Sequence, residues 1–298
     1  AQSLVSVSYE NPLETIKSNV LGTANLLEVL RNLDENCVAV LITSDKVYRN
    51  IEKLSGYREE DIIGGHDIYS GTKGAADTLI HSYYKTFFSS NSKIKIVSAR
   101  AGNVIGGGDW GKDRLIPDLF RAIDAGKTLR IRSPNSVRPW QHVLEPLSGY
   151  LMLAEKLILK GEKFAEAWNF GPLESDSKEV SWIVEHLCKK IPKSVWELDD
   201  SIKFHEAGFL KLDSTKAKTK LGWEPRWSLE IALDKTFDWY QSWKKNQSMA
   251  EMYQGILHTL IERGARTDLQ DTRGRTVEDC LEQFASLDLP ALMQSFER

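Results

Sequence analysis

The chain has 298 residues, is 41% apolar and 27% charged, and carries a formal net charge of -3, so it can bury a sizeable core and gives no general reason to expect nucleic acid or an anionic membrane as partner. Its three cysteines, Cys37, Cys188 and Cys280, are scattered and odd in number, which argues against a disulfide framework or a paired-cysteine metal site and for a reducing, cytoplasmic setting. No run reaches the roughly 18 apolar residues of a membrane span, and the first residues show no basic-then-apolar signal pattern.

Near the start, Asn11-Pro12-Leu13-Glu14 combines an N-cap residue, proline at the first helical position and a capping-box glutamate, so a helix is expected from Pro12. Leu13, Ile16, Val20, Leu27 and Leu30 repeat at three- and four-residue spacing, the mark of a face packed on a sheet. An apolar strand is expected over 38–44, a helix over about 70–88, a strand over 94–100, and a helix over about 114–125 closed by Gly126. Strands alternating with helices predict a parallel sheet covered by helices. Short strands follow at TLRIRS and RPWQHV, then a helix opened by Glu145-Pro146, a strand at AWNFG, a helix over about 179–191, a strand at VWEL, a short helix closing at Gly222 and a last one over 229–243. Trp182, Trp196, Trp223, Trp227, Trp239 and Trp243 crowd this second half and read mainly as packing residues. The polar stretch 244–248 reads as a linker. Beyond it, ILHTLIERGARTDLQDTRGRT is similar to one ankyrin repeat, without a second copy at a period of about 33 residues.

Side chains with chemistry to offer converge on 40–73. A buried strand ends in Thr43, Ser44, Asp45 and Lys46, and Tyr69 and Lys73 stand four apart where a helix begins, which puts phenol and ammonium on one helical face. The ammonium is expected to lower the phenol's pKa and let Tyr69 exchange a proton with an alcohol, the partner that a hydride transfer needs. Open α/β sheets bind ligands at the carboxyl ends of their strands. That placement raises a spacing that is weak alone.

TSDKVY, YSGTKGAAD, SARAGNVIGGGDWGKDRLIPD, RPWQHVLEPLSGYL and AWNFGP occur in this order. Together they resemble the extended short-chain dehydrogenase/reductases, most closely the nucleotide-sugar 4,6-dehydratases among them, over about residues 1–245. The resemblance implies a tightly held NAD, oxidation of a nucleotide-linked glucose at C4, elimination of water across C5 and C6, and return of the hydride to C6, with CDP-glucose as substrate. It makes Tyr69 the proton acceptor at O4, Lys73 its electrostatic partner and a contact of the nicotinamide ribose, Ser44 a hydrogen-bond partner of O4, and Asp45 with Lys46 the elimination pair. Asp45 is the implied acid at the departing C6 hydroxyl. Related dehydratases carry glutamate at the position of Lys46, so this lysine is either a base at C5 in its neutral form or a stabiliser of the developing enolate. Asn19 is implied to steady backbone or water near the tyrosine and is grouped with Arg100 on the cofactor side, and Asn103, Arg138, Trp140 and His142 are implied on the substrate side. Arg130 and Arg132 share a strand face that reads as solvated, and the histidines show no metal spacing, so no metal is expected.

The expected fold class is α/β: an incomplete Rossmann-like parallel sheet with helices, a smaller α+β substrate lobe and a helical tail. The body spans 1–245, with the catalytic core mainly over 1–175 and the lobe mainly over 105–140 and 176–228; the linker and the ankyrin-like tail span 246–298. The family begins with a strand, G-x-x-G-x-x-G turn and helix that anchor the cofactor's pyrophosphate, and these 298 residues contain none of it. A missing front section of about two to three βαβ units is therefore expected, with activity dependent on it. Two other readings stay open: a dehydratase or epimerase of another nucleotide sugar, against which Lys46 speaks, and a non-catalytic fragment or interaction protein. A homo-oligomer and a protein partner for the tail are open as well.

Overall fold

The computed structural model describes residues 1–89, 93–192, 194–199 and 208–245. The ankyrin-like reading of the tail lies outside them. Contacts divide the chain into two units, Ala1–Phe237 and Asp238–Arg298, and the fold below is that of the first. Among the described residues no helix is long and apolar enough to cross a membrane.

The chain opens with helices α1 (Val5–Glu10) and α2 (Pro12–Ile16), a π-helical turn over Lys17–Leu21, and α3 (Gly22–Arg31). Helix α1 carries no apolar periodicity that would have announced it. Pro12 does open α2, but Asn11 makes no side-chain cap; its carbonyl instead accepts from the Thr15 amide at 3.1 Å. The buried face also departs from the one that spacing suggests. Leu27 and Leu30 are buried, yet Leu13 is 71% exposed and Ile16 40%, while Thr15 and Asn19 point inward. The π turn adds one residue to the helix, so its faces slip in phase and polar positions rotate into the interior.

Strand β1 (Cys37–Ile42) leads through a 3₁₀ turn (Asp45–Val47) and a loop to α4 (Ile68–Tyr83), which continues as a π-helical turn to Phe88. Strand β2 (Ile94–Ala101) follows, then β3 (Val104–Ile105), α5 (Leu115–Asp124), β4 (Leu129–Ile131), β5 (Val137–Pro139), β6 (Gln141–His142) and α6 (Leu144–Lys160). The chain then forms β7 (Trp168–Phe170), β8 (Ser177–Glu179), α7 (Val180–Cys188), β9 (Trp196–Leu198) and α8 (Leu229–Lys244). Gly126 follows α5 and Gly222 closes a π-helical turn over Ala217–Leu221, at φ of 61° and 77°, left-handed conformations that glycine adopts without a Cβ penalty.

Strands β1, β2 and β7 form a parallel sheet in that order, with Cys37 opposite Ile94 and Ala99 opposite Trp168. The expected helix-covered sheet is therefore present. Alternation along β2 sorts its two faces. Ile94 and Ile96 pack with Leu27, Leu30, Ile80 and Phe88 of the α3–α4 side, and Val97 and Ala99 with Leu153, Leu157, Trp168, Phe170 and Trp223 of the α6 side. The stretch RPWQHV, expected as one strand, is split at Trp140: β5 pairs antiparallel with β8, and β6 pairs parallel with β3. Strand β4 pairs parallel with β9, Leu129 opposite Trp196.

Candidate functional site

Strand β1 delivers Ser44 and Asp45 at its carboxyl end. Ser44 is extended, accepts the Lys46 amide at 3.2 Å and donates its hydroxyl to Asp45 Oδ1 at 3.0 Å. Opposite, Asp67 caps α4 by accepting the Ser70 amide at 2.9 Å and the Ser70 hydroxyl at 2.6 Å, which sets Tyr69 in the first turn. The Tyr69 ring is 7% exposed, and its centroid lies 5.7 Å from Lys46 Nζ and 5.9 Å from Lys73 Nζ.

A cavity of about 780 Å³ opens over these groups and is lined by Ser44, Asp45, Lys46, Tyr69, Asn103, Arg138 and Trp140, with Arg130 and Arg132 farther along its wall. Seven of the expected site residues thus share one space. Asp45 is 3% exposed and its Oδ2 is buried without a hydrogen-bond partner. Burial pushes the Asp45 carboxyl up, outweighing the downward pull of Lys46, the Ser44 hydroxyl and Arg138. Its neutral form is favoured, as a general acid requires.

Tyr69 differs from expectation. Burial, and then the Asp45 charge, push its phenol up to about 12, while hydrogen bonding from Ser44 and the Arg114 charge work the other way. Lys73 is not what tunes it in this structure. That ammonium is buried, and desolvation alone pushes it down; among the described residues no carboxylate pairs with it.

Three further candidates do not line the cavity. Arg100 does not line the cavity: its guanidinium is engaged by Asp77 at 2.5 and 3.0 Å, the Tyr48 hydroxyl at 2.7 Å and the Glu59 carbonyl at 3.2 Å. Asn19 is buried with both amide ends used, accepting the Gln2 amide at 2.7 Å and donating to Thr72 Oγ1 at 3.0 Å. Thr72 in turn donates to the Tyr69 carbonyl at 2.8 Å, so Asn19 steadies the tyrosine's backbone, as the resemblance implies, and does so from behind the tyrosine rather than from the cavity wall. His142 packs edge-on against Trp227, ring centroids 4.9 Å apart, and accepts the Leu144 amide at 3.3 Å. It supports the wall without facing the cavity.

The structure also adds residues that spacing gave no reason to choose. Arg114 bridges Asp109 at 3.0 Å and the Ser3 hydroxyl at 2.7 Å, and Ser6 donates to Asp113 at 2.7 Å, so the first residues form part of the cavity rim. Gly102 lies where a Cβ would collide with Pro139 and approach Asp45 Oδ2 at 3.1 Å. A glycine one residue before Asn103 was the only sign of that close approach.

The chain is similar to known proteins over most of its length. The family model for GDP-mannose 4,6 dehydratase matches residues 1–236. CDP-glucose 4,6-dehydratase of Salmonella typhimurium is 46% identical over 254 residues, covering 84% of this chain and 71% of that protein. The Low-salt glycan biosynthesis protein Agl12 of Haloferax volcanii is 30% identical, covering 80% of this chain and 73% of that protein. Among solved structures, dTDP-glucose 4,6-dehydratase from Bacillus anthracis in complex with NAD superposes with a TM-score of 0.64 at 23% identity, covering 80% of this chain and 71% of that one. UDP-glucuronic acid 4-epimerase from Bacillus cereus gives 0.69 at 22% identity, covering 81% and 73%.

Proposed function

The chain belongs to the GDP-mannose 4,6-dehydratase family, and from that premise we propose that it catalyses the NAD-dependent conversion of CDP-glucose to CDP-4-keto-6-deoxyglucose. One observation carries the reading: a buried acid with a free oxygen, Asp45, shares a cavity with the hydroxyls of Ser44 and Tyr69 and the amine of Lys46. That is the set needed to move a proton at O4 and expel a hydroxyl from C6.

The residues present fit the nicotinamide end of NAD. Lys73 is a buried donor without an anionic partner among the described residues, suited to ribose hydroxyls, and Tyr69 stands beside it. When bound, NAD would supply the hydride acceptor and donor for the reaction, with Lys73 and Tyr69 as the residues that would hold its nicotinamide ribose.

Ser44 and Tyr69 hold O4, and Tyr69 takes its proton. Asp45 supplies the proton that lets the C6 hydroxyl leave as water. A neutral Asp45 also removes its own negative charge from Tyr69, one of the three causes, after burial and beside the Asp67 charge, that hold that phenol up, so the acid and the base assist each other. Lys46, half-buried against the Tyr69 ring, takes the C5 proton as a neutral amine, and the ammonium so formed stabilises the negative charge that develops on the enolate. Arg138, buried in the wall, and Asn103 meet the diphosphate side of the substrate, where guanidinium geometry is well matched.

The test is incubation of the purified protein with CDP-glucose and NAD, following by mass spectrometry a product lighter by one water. Tyr69→Phe should abolish product while leaving NAD binding in place. Absence of both turnover and NAD binding in the parent protein would sink the reading.

A further inference from the structure

Arg100, displaced from the cofactor side, has a different place in this molecule. Alternation along β2 puts it on the face of Ile94, Ile96 and Ser98, turned toward α4. There it meets Asp77, one helical turn beyond Lys73, in an ion pair whose side chains are 3% and 1% exposed.

Asp77 Oδ2 also accepts the Thr43 hydroxyl at 2.8 Å, and Thr43 immediately precedes Ser44. Arg100 reaches Tyr48, two residues after Lys46, whose hydroxyl donates to Asn169 of β7 at 2.7 Å. The segment that carries Ser44, Asp45 and Lys46 is thus held at both ends by one buried pair. The same pair is rooted in the helix that carries Tyr69 and Lys73.

We propose that Asp77 and Arg100 are positioning residues for the reaction, clamping the segment 43–48 so that Ser44, Asp45 and Lys46 keep their geometry relative to Tyr69 and Lys73. The inference rests on the dehydratase reading of those five residues. Stability is a weak reason for such a pair, because apolar residues of similar volume replace a buried ion pair at little or no cost. Geometry is the stronger one: both ends of the clamp land on residues that flank the acid and the lysine, and a misplacement of about 1 Å is enough to cost about 100-fold in rate.

The experiment compares the parent with Asp77→Leu/Arg100→Met, Thr43→Val and Thr43→Ser, by steady-state kinetics with CDP-glucose and by amide hydrogen exchange. In the double variant kcat should fall about 100-fold with KM within about threefold. Amides of Lys46, Val47 and Tyr48 should exchange at least about tenfold faster while those of Ile94–Val97 keep their protection. Thr43→Val should show the same pattern more weakly and Thr43→Ser should restore it; if the double variant does not fold, this pair of variants decides. Unchanged exchange in 46–48, loss of protection throughout the sheet, or equal changes in kcat and KM would overturn the clamp. Parent protein without turnover would refute the dehydratase reading alone, since exchange still judges the clamp.

Discussion

Replacing Asp45 by asparagine keeps the shape of the side chain and removes the proton that the proposed mechanism has it deliver. Loss of a general acid costs 10²–10⁴-fold, or about 3–5 kcal/mol in the barrier. The same substitution has a second, thermodynamic signature. Burial raises the Asp45 pKa in the folded protein above its ordinary 3.8, so the folded state binds this proton more tightly than the unfolded state. Its contribution to stability is therefore full below 3.8 and is lost as the pH rises through the folded value. Each unit between the two values corresponds to about 1.4 kcal/mol, and the carboxylate is buried, so solvent screens little of it. Asparagine does not titrate. Urea unfolding of parent and Asp45→Asn, run at intervals from about pH 4 to about pH 8, should show the variant gaining on the parent as the pH rises. Any pH-independent cost of burying the new amide cancels in that comparison. A stability difference that is flat with pH, or that moves the other way, would refute the placement of Asp45 as a neutral buried acid, whatever the kinetics show.

Two further outcomes follow from packing and capping. Gly149 of α6 sits where a Cβ would collide with the Phe170 ring and stand 3.1 Å from Trp223 Nε1. Gly149→Ala should cost about 1–3 kcal/mol through overpacking, lowering Tm by roughly 2–4 °C per kcal/mol in a protein of this size; an unchanged Tm would mean the α6 side of the core is looser than described. Asp67→Ala removes both bonds that the aspartate makes to Ser70 and should cost about 1 kcal/mol in denaturant unfolding. Because Tyr69 sits in that first turn, kcat should fall as well, and a variant with full activity would mean that the cap does not set the tyrosine.

Much of this was legible in the chain before any coordinates. The β-branched run of β1, the Tyr69/Lys73 spacing and the alternation of strands with helices each follow from local rules, and the structure has the expected sheet with the expected groups at its tip. What could not be read was long-range. Whether Arg100 faces a ligand or a carboxylate depends on Asp77, 23 positions away and on another element. His142 lies in the same short motif as Trp140, yet the break of RPWQHV between two ladders turns one into the packing and leaves the other on the cavity wall. The pKa of Tyr69 failed for a related reason: helical spacing gives the neighbouring lysine but not the depth of burial that outweighs it.

The π-helical turn over Lys17–Leu21 makes the first helical segment sensitive to length more than to composition. Its one surplus residue decides whether Asn19 or an aliphatic neighbour points at Thr72 and, through it, at the backbone of Tyr69. Shortening this turn by one position would rotate everything before it by about 100° against everything after it. Substitution at the exposed Leu13 and Ile16 should therefore be tolerated, whereas insertion or deletion of one residue here should disturb the tyrosine that this segment supports.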